Sequence, residues 1–333
     1  MRICLLTPQD LDTVPFPDND WPCDPRPFVP EADWHVATLE KPGAARQVAR
    51  IVREGGFDVY FNLCSGSAEE PFEPGIEVVR TLERYGVPFT GAASSFHEPT
   101  RRAMKRACLA AGIDTPAWAI VRTDRDIERA AARLRFPLFV KHHCSYASVS
   151  LSRASRVMTP AGLMRQAHKM IARHGAALIE EYVAGRECTV LVAENADDPR
   201  RPLTYTPVEY SFPEGEEFKH SDLKWETFEG MSAHPVADPL LDRQLRAMSA
   251  RFFTAIEGSS FARCDIRVDG DGRPWMLEIN PNCGIYYPPH AAGGADVCLA
   301  HDPAGHEGFT RQLIRAGLRR HARLRRARRR KAA

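Results

Sequence analysis

The chain has 333 residues and a mass of 37.3 kDa, with 44% apolar and 26% charged residues, a balance that excludes a disordered chain and leaves core enough for two or three domains. No stretch reaches the ~18 consecutive apolar residues of a membrane span, and Pro8, Gln9 and Asp10 cut off the opening run MRICLLT, which reads as a first β-strand and not as a signal peptide. The net charge of +2 conceals an asymmetry: residues 311–333 hold eleven Arg and Lys and no acid, leaving −9 on residues 1–310.

RICLLT reads as a strand, AARQVARIVREGG as a helix stopped by Gly55 and Gly56, and DVYFNLCS as a second strand. EPGIEVVRTLERYG is a helix and VPFTG a returning strand end. This β/α alternation implies a parallel sheet covered by helices. The intervening stretch Thr13 to Trp34 is proline-rich and reads as irregular, either a functional loop near the strand ends or a plain excursion. A basic helix (PTRRAMKRACLAAG), the strand TPAWAIV, a helix over 124–135, the strand PLFVKHH and a partner strand SVSLSR follow. Thr159 and Pro160 open another helix, after which ALIEEYV and ECTVLVAE are strands around Ala184-Gly185-Arg186. Residues 194–235 read as polar and irregular, residues 238–256 as a helix, and 261–281 as a hairpin. The end reads as a helix, QLIRAGL, fraying into a solvated arginine tail, so nucleic acid is set aside as a partner. Nine cysteines without a Cys-x-x-Cys pair speak against a disulfide framework and for a reducing cytoplasm.

The hairpin carries the chemistry. Asp269-Gly-Asp-Gly272 is a strong turn signal. Pairing Val268 with Arg273 sets Asp265 opposite Met276 and Arg263 opposite Glu278. With a period of two, Arg263, Asp265, Glu278 and Asn280 share one face, while Cys264, Ile266, Val268, Trp275, Leu277 and Ile279 share the other. Two carboxylates and an amide are hard oxygen donors of the kind that hold Mg²⁺ or Mn²⁺; a solvated face with an Arg263–Glu278 pair is the plainer reading. His142, His143 and Cys144, as neighbours on a strand, cannot all face one metal.

Asp265, twelve residues, then Glu278-Ile-Asn280-Pro, with Arg263 two residues ahead, resembles the metal-binding signature of the ATP-grasp superfamily, and of its D-alanine–D-alanine ligase branch in particular. GVPFTGAASS, the basic helix, GIDTP, PLFVKHH and LIEEYVAGRECTV match in the same order, over about residues 50–290. The resemblance implies an α/β chain with an ATP-grasp fold: a Rossmann-like parallel-sheet domain at 1–95, a small central α+β lid domain at 96–180, a C-terminal α+β domain at 181–318 with the metal site, and a basic tail at 319–333.

It also implies roles. Glu180, Glu181, Tyr182 and Val183 would form the adenine hinge, with Glu180 accepting from the adenine amino group, and Glu187 would hold the ribose. Lys141 and Arg101 would bind phosphates, Arg101 standing four residues before Lys105 where the family has a lysine. Ser148 would donate to a phosphate from a lid whose usual glycines are Ala and Ser here. Lys224, with Lys219 as a rival, would close over ATP. Asp265, Glu278 and Asn280 would hold Mg²⁺, or Mn²⁺. Arg263 and the Gly284 backbone N–H would stabilise a tetrahedral oxyanion.

The activity implied is ATP-dependent ligation of a small-molecule carboxylate to an amine through an acyl phosphate, by a cytoplasmic enzyme whose relatives are often dimers. The N-terminal segment TPQDLDTVPFPD lacks the family's acidic anchor for the first amino acid. FNLCSGS lacks its histidine, and NPNCGIYYPPHAAGG departs from its proline-glycine-methionine turn. A substrate other than D-alanine is therefore expected, with a small-molecule kinase and a non-catalytic ATP binder as the alternatives.

Overall fold

The computed structural model describes residues 1–11, 22–68, 70–144, 150–220 and 230–332. Three sheets follow one another along the chain. The first joins β1 (Arg2–Thr7), β2 (Asp33–Thr38) and β3 (Val59–Asn62), all parallel, in the order β2-β1-β3. Helices α1 (Ala44–Glu54) and α2 (Ile76–Tyr85) cover one face, packing Val48, Val79 and Leu82 on Cys4 and Leu6. β2 begins in the last two residues of the stretch read as irregular and runs on past it to Thr38; its burial is only partial, as expected at an edge where apolar alternation is weak. VPFTG contributes one bridge, Tyr60 to Phe89, in place of a strand.

The second sheet is antiparallel, in the order β4 (Trp118–Val121), β7 (Ala177–Glu181), β5 (Leu138–His142), β6 (Arg156–Val157). Leu138, Val140, Ala177 and Ile179 face a core shared with α4 (Asp124–Arg133) and α5 (Pro160–His174). Thr123 and Thr159 cap these helices through their hydroxyls, each worth about 1 kcal/mol. The partner of β5 is thus Arg156–Val157; the expected strand lay over 148–153, of which 148 and 149 fall outside the described residues.

The third sheet runs β11 (Ser232–Pro235), β10 (Val208–Ser211), β8 (Arg186–Ala193), β12 (Phe261–Val268), β13 (Pro274–Pro281), with β9 (Leu203–Thr204) also on β8. Among the described residues, the polar region 194–235 therefore supplies three short strands, β9 and β10 on the edge of β8 and β11 on β10, recruited by backbone edges and not by apolar patterning of their own. α3 (Arg101–Ala110) and α6 (Pro239–Ala255) bury the Cys264, Ile266, Met276 and Ile279 face.

The register of β12 and β13 differs from the expected one. Val268 pairs with Pro274 and Ile266 with Met276, but Asp265 pairs with Glu278 and Arg263 with Asn280, because a bulge at Leu277 breaks the ladder. Met276 is the buried core residue, while Trp275 and Leu277 are only partly buried. The extra residue moves Trp275 to the opposite face, beside Arg267.

The arginine tail also departs from expectation. After α7 (Gly294–Ala300), helix α8 runs unbroken from Gly305 to Ala332. Its Arg320 and Arg323 pair with the buried Glu194 at 2.9 and 2.6 Å, and Arg320 also donates to the carbonyls of Phe89 and Gly91. No described helix is long and apolar enough to cross a membrane.

Candidate active site

Strand alternation directs two polar faces toward each other. On the second sheet, Phe139, Lys141, Leu178 and Glu180 lie opposite the apolar core side. On the third, Glu187, Thr189, Arg263, Asp265, Arg267, Glu278 and Asn280 share the face away from α3 and α6.

A chain of charges joins the two faces. Glu180, 3% exposed, forms an ion pair with Lys105 Nζ at 2.9 Å through one oxygen and with Lys141 through the other. Lys141 lies 3.9 Å from Glu278, which Arg101 also engages. Lys105 donates to Thr115, whose hydroxyl donates to the Met276 carbonyl. Arg101, Lys105 and Lys141 thus gather around Glu180 and Glu278 among the described residues, a cationic cluster of the kind that charge-assisted hydrogen bonds to phosphate use.

The protonation states follow from these contacts. Burial by itself would raise Glu180, but Lys105 and Lys141 outweigh it and hold the carboxyl at about 2. Burial, Arg101 and Lys105 lower Lys141, with Glu180 opposing. Glu278 is lowered in spite of its burial, by Arg101 and Lys141.

Asp265 is the best-satisfied acid of the site. Arg263 grips it with Nε and a terminal nitrogen at 2.9 Å each, Thr189 donates at 2.8 Å and Asn280 Nδ2 at 2.8 Å. These outweigh its burial and hold it at about 2. The set suits a hard divalent cation, with two ionised carboxylates facing each other in register and an amide on the same face. Turning the Asn280 amide exchanges its nitrogen for an oxygen donor there.

At the hinge, Glu181 turns outward to Arg135 at 2.9 Å, and its N–H, like that of Tyr182, is used in the sheet by Ala117 and Pro137. The Val183 carbonyl accepts Arg267 Nε at 3.0 Å. Glu187 lies 3.3 Å from Arg267 and 3.5 Å from Lys219, which also sits over the Tyr210 ring. Lys224 and Ser148 lie outside the described residues. Gly284 lies in the turn after β13, where a Cβ would meet the Tyr287 hydroxyl at 2.6 Å; it lines a small cavity.

Two residues of this network escaped the sequence reading. Lys105 served only as a spacing mark for Arg101, yet it is 1% exposed and neutralises Glu180. Arg267 binds the carbonyls of Val183, Gly185 and Glu217 and the Tyr182 hydroxyl. Its place two residues beyond Asp265 put it on the polar face and was the available signal.

Comparison with known proteins agrees with this architecture. The family model for the D-ala D-ala ligase C-terminus matches residues 108–287. The D-alanine–D-alanine ligase of Cupriavidus necator is 26% identical over 278 residues, covering 81% of this chain and 79% of that protein. An uncharacterised protein of Sinorhizobium fredii is 33% identical over 257 residues, covering 74% and 70%. The crystal structure of D-alanine–D-alanine ligase from Bacillus anthracis complexed with ATP superposes with a TM-score of 0.67 at 16% identity, covering 97% of this chain and 99% of that one. The fold is therefore ATP-grasp, and since one family model takes in more than half the sequence, the chain belongs to the family of the D-ala D-ala ligase C-terminus.

Proposed function

We propose that this protein is an ATP-dependent carboxylate–amine ligase that forms an amide bond through an acyl phosphate. The observation that carries the reading is the facing pair Asp265 and Glu278, with Lys141 and Arg101 on the Glu278 side. The carboxylate of one substrate attacks the γ-phosphorus of ATP in line and ADP departs. The amine of the second substrate then attacks the acyl carbon and phosphate leaves.

In this reading Lys141 and Arg101 bind the phosphates, and the backbone of Glu180 to Val183 with Glu187 receives the nucleoside. The Glu180 carboxylate is given chiefly to holding Lys105 and Lys141, and only secondarily to the adenine amino group. Asp265, Glu278 and Asn280 are the oxygen set for Mg²⁺ or Mn²⁺. Such an ion, when bound, neutralises charge on the phosphates. Arg263 is fixed by its two bonds to Asp265, so it meets a developing oxyanion without reorganising, and the Gly284 N–H is its proposed partner. Residues 1–95 form the substrate-side unit, 96–180 the lid and 181–318 the unit with the cation set.

The relatives are named for D-alanine; the departures at TPQDLDTVPFPD, FNLCSGS and NPNCGIYYPP favour a different amino or carboxylic acid here. ADP release, with mass detection of products across carboxylate and amine pairs, tests the proposal. A magnesium-dependent amide product is expected. ATP hydrolysis with no amide from any pair overturns it.

A further inference from the structure

The second sheet ends at β4, and among the described residues no strand pairs with its outer edge. The Ala117 carbonyl accepts the Glu181 N–H, and Ala119 and Val121 stand opposite Ile179 and Ala177 of β7. Alternation in an antiparallel pair then turns the N–H and C=O groups of Trp118 and Ile120 outward. Arg133 donates to the Trp118 carbonyl at 2.7 Å. The Trp118 N–H and both backbone groups of Ile120 have no protein partner among the described residues. An open edge of this kind is a template for another chain.

The edge opens on a groove of about 1040 Å³, lined by residues of α3, β4 and α4 and by Trp275 of β13. Sites for drug-sized ligands run to roughly 300–1,000 Å³, so there is room here for several residues of an extended chain. Leu109, 64% exposed and two turns along α3 from Arg102, adds apolar surface to the same groove.

The charges of the groove are unbalanced. Arg102, Arg129, Arg133 and Arg135 line it against Asp126 and Glu181. Both carboxylates are already engaged: Asp126 accepts the Arg122 and Thr123 N–H groups at the start of α4, and Arg135 holds Glu181. Arg102, Arg129 and Arg133 are exposed and have no carboxylate at ion-pair distance among the described residues. Arg129 and Arg133, four residues apart on α4, repel each other, and an anion in the groove relieves that repulsion. A phosphate or a nucleotide would satisfy the guanidinium groups but leave the strand edge unpaired. A peptide backbone carries the alternating donors and acceptors that Trp118 and Ile120 call for.

We propose that this groove docks an extended acidic segment of a partner protein, which adds a strand to β4 at Trp118 and Ile120 and sets its carboxylates against Arg102, Arg129 and Arg133. Lys141 lies two strands away, across β7, so this docking is separate from nucleotide binding and independent of the ligase reading.

The test is fluorescence anisotropy of the full chain with a labelled decapeptide of alternating Glu and Val. The controls are a Lys–Val decapeptide and the Glu–Val decapeptide N-methylated at every residue. The Glu–Val peptide is expected to bind, and both controls to bind at least roughly tenfold more weakly, since one loses the charge match and the other the backbone bonds. Arg102→Glu combined with Arg129→Glu should weaken binding roughly 10- to 100-fold at an unaltered melting temperature, and ATP with magnesium should not displace the peptide. Failure of the Glu–Val peptide to bind, equal binding of its N-methylated form, or an unaltered affinity in the double variant overturns the inference. Displacement by ATP with magnesium places the peptide on the Lys141 cluster and overturns it too. Sedimentation velocity covers the remaining occupant: a dimer that the double variant abolishes gives the groove to a second copy of this chain, against the proposal. Should the double variant melt early, the Lys–Val and N-methylated comparisons decide the matter.

Discussion

Asp265 stands directly opposite Glu278 across β12 and β13, and a single extra residue, Leu277, puts it there. A ladder continued regularly from Ile266–Met276 would pair Asp265 with Leu277 and send Glu278 to the core side, opposite Cys264. The bulge lets the hairpin bury Met276 and Ile279 on one face and still align two acids on the other.

Glu278→Gln tests that alignment. The amide keeps the shape but removes the charge shared by Arg101 and Lys141. Steady-state ADP release should fall by about 10² to 10³, as when one preorganised electrostatic group is lost. Nucleotide affinity should also lose much of its dependence on magnesium. If the variant binds nucleotide as the parent does at every magnesium concentration, the cation assignment is wrong.

Glu180 is expected to behave as a structural charge first. Glu180→Gln leaves Lys105 and Lys141 buried beside each other with their common partner gone, a change of the kind that costs about 3–5 kcal/mol. Denaturant titration should show that loss, and a second substitution, Lys105→Met, should recover part of it by removing one unpaired cation. The pH dependence has a definite sign. The folded carboxyl titrates at about 2 against an ordinary 4.5, so its stabilisation is complete above pH 4.5 and drains away as pH falls toward 2. The gap between parent and Glu180→Gln should therefore close within that window. A gap that is constant from pH 5 to pH 2 rules out the buried-pair account.

What could be read from the sequence depended on how local the signal was. The hairpin's polar face was legible, because a turn motif and strict alternation fix it within twenty residues. Its register was not, because a bulge depends on what the opposite face must bury, and that face packs on α3 and α6, far away in sequence. Helices with caps and apolar stripes were equally plain, as at Thr159 and Pro160. β2, β10 and β11 were missed for the converse reason: they are short, half-exposed strands held by the backbone edges of β1, β8 and β10. Lys105 resembled any surface lysine of a basic helix until Glu180 was brought against it.

The second and third sheets are joined by a different kind of contact. Arg153 pairs with Glu216 and Arg156 with Glu217, joining the segment before α5 to the segment after β10, while Tyr182 donates to Glu217 at 3.1 Å. Arg153 is 71% and Glu217 52% exposed, so each pair is worth at most about 1 kcal/mol and is screened by salt. Raising ionic strength from 0.05 to 0.5 M (roughly 14 to 4 Å of Debye length) should increase the KM for ATP about two- to fivefold with little change in kcat. Arg156→Glu should reproduce that effect at low salt, and Arg156→Glu combined with Glu217→Arg should reverse it. A KM indifferent to both salt and charge reversal would mean that these pairs do not set the approach of the two sheets around ATP.

The arginine-rich end divides into two halves with different consequences. Glu194 is 7% exposed and depends on Arg320 and Arg323 for its counter-charge, and Arg320 also binds the Phe89 and Gly91 carbonyls beside the first sheet. Truncation after Leu318 strands that carboxylate and should destabilise the protein by about 3–5 kcal/mol. Truncation after Leu324 removes Arg325, Arg326, Arg328, Arg329 and Arg330, all exposed, and should change stability by no more than about 0.5 kcal/mol. Thermal and denaturant unfolding of the two truncations distinguishes a docking helix from a solvated tail. Equal stability of both with the full chain would return the whole end to solvent, whereas the Glu194 pairs require the shorter chain alone to be weakened.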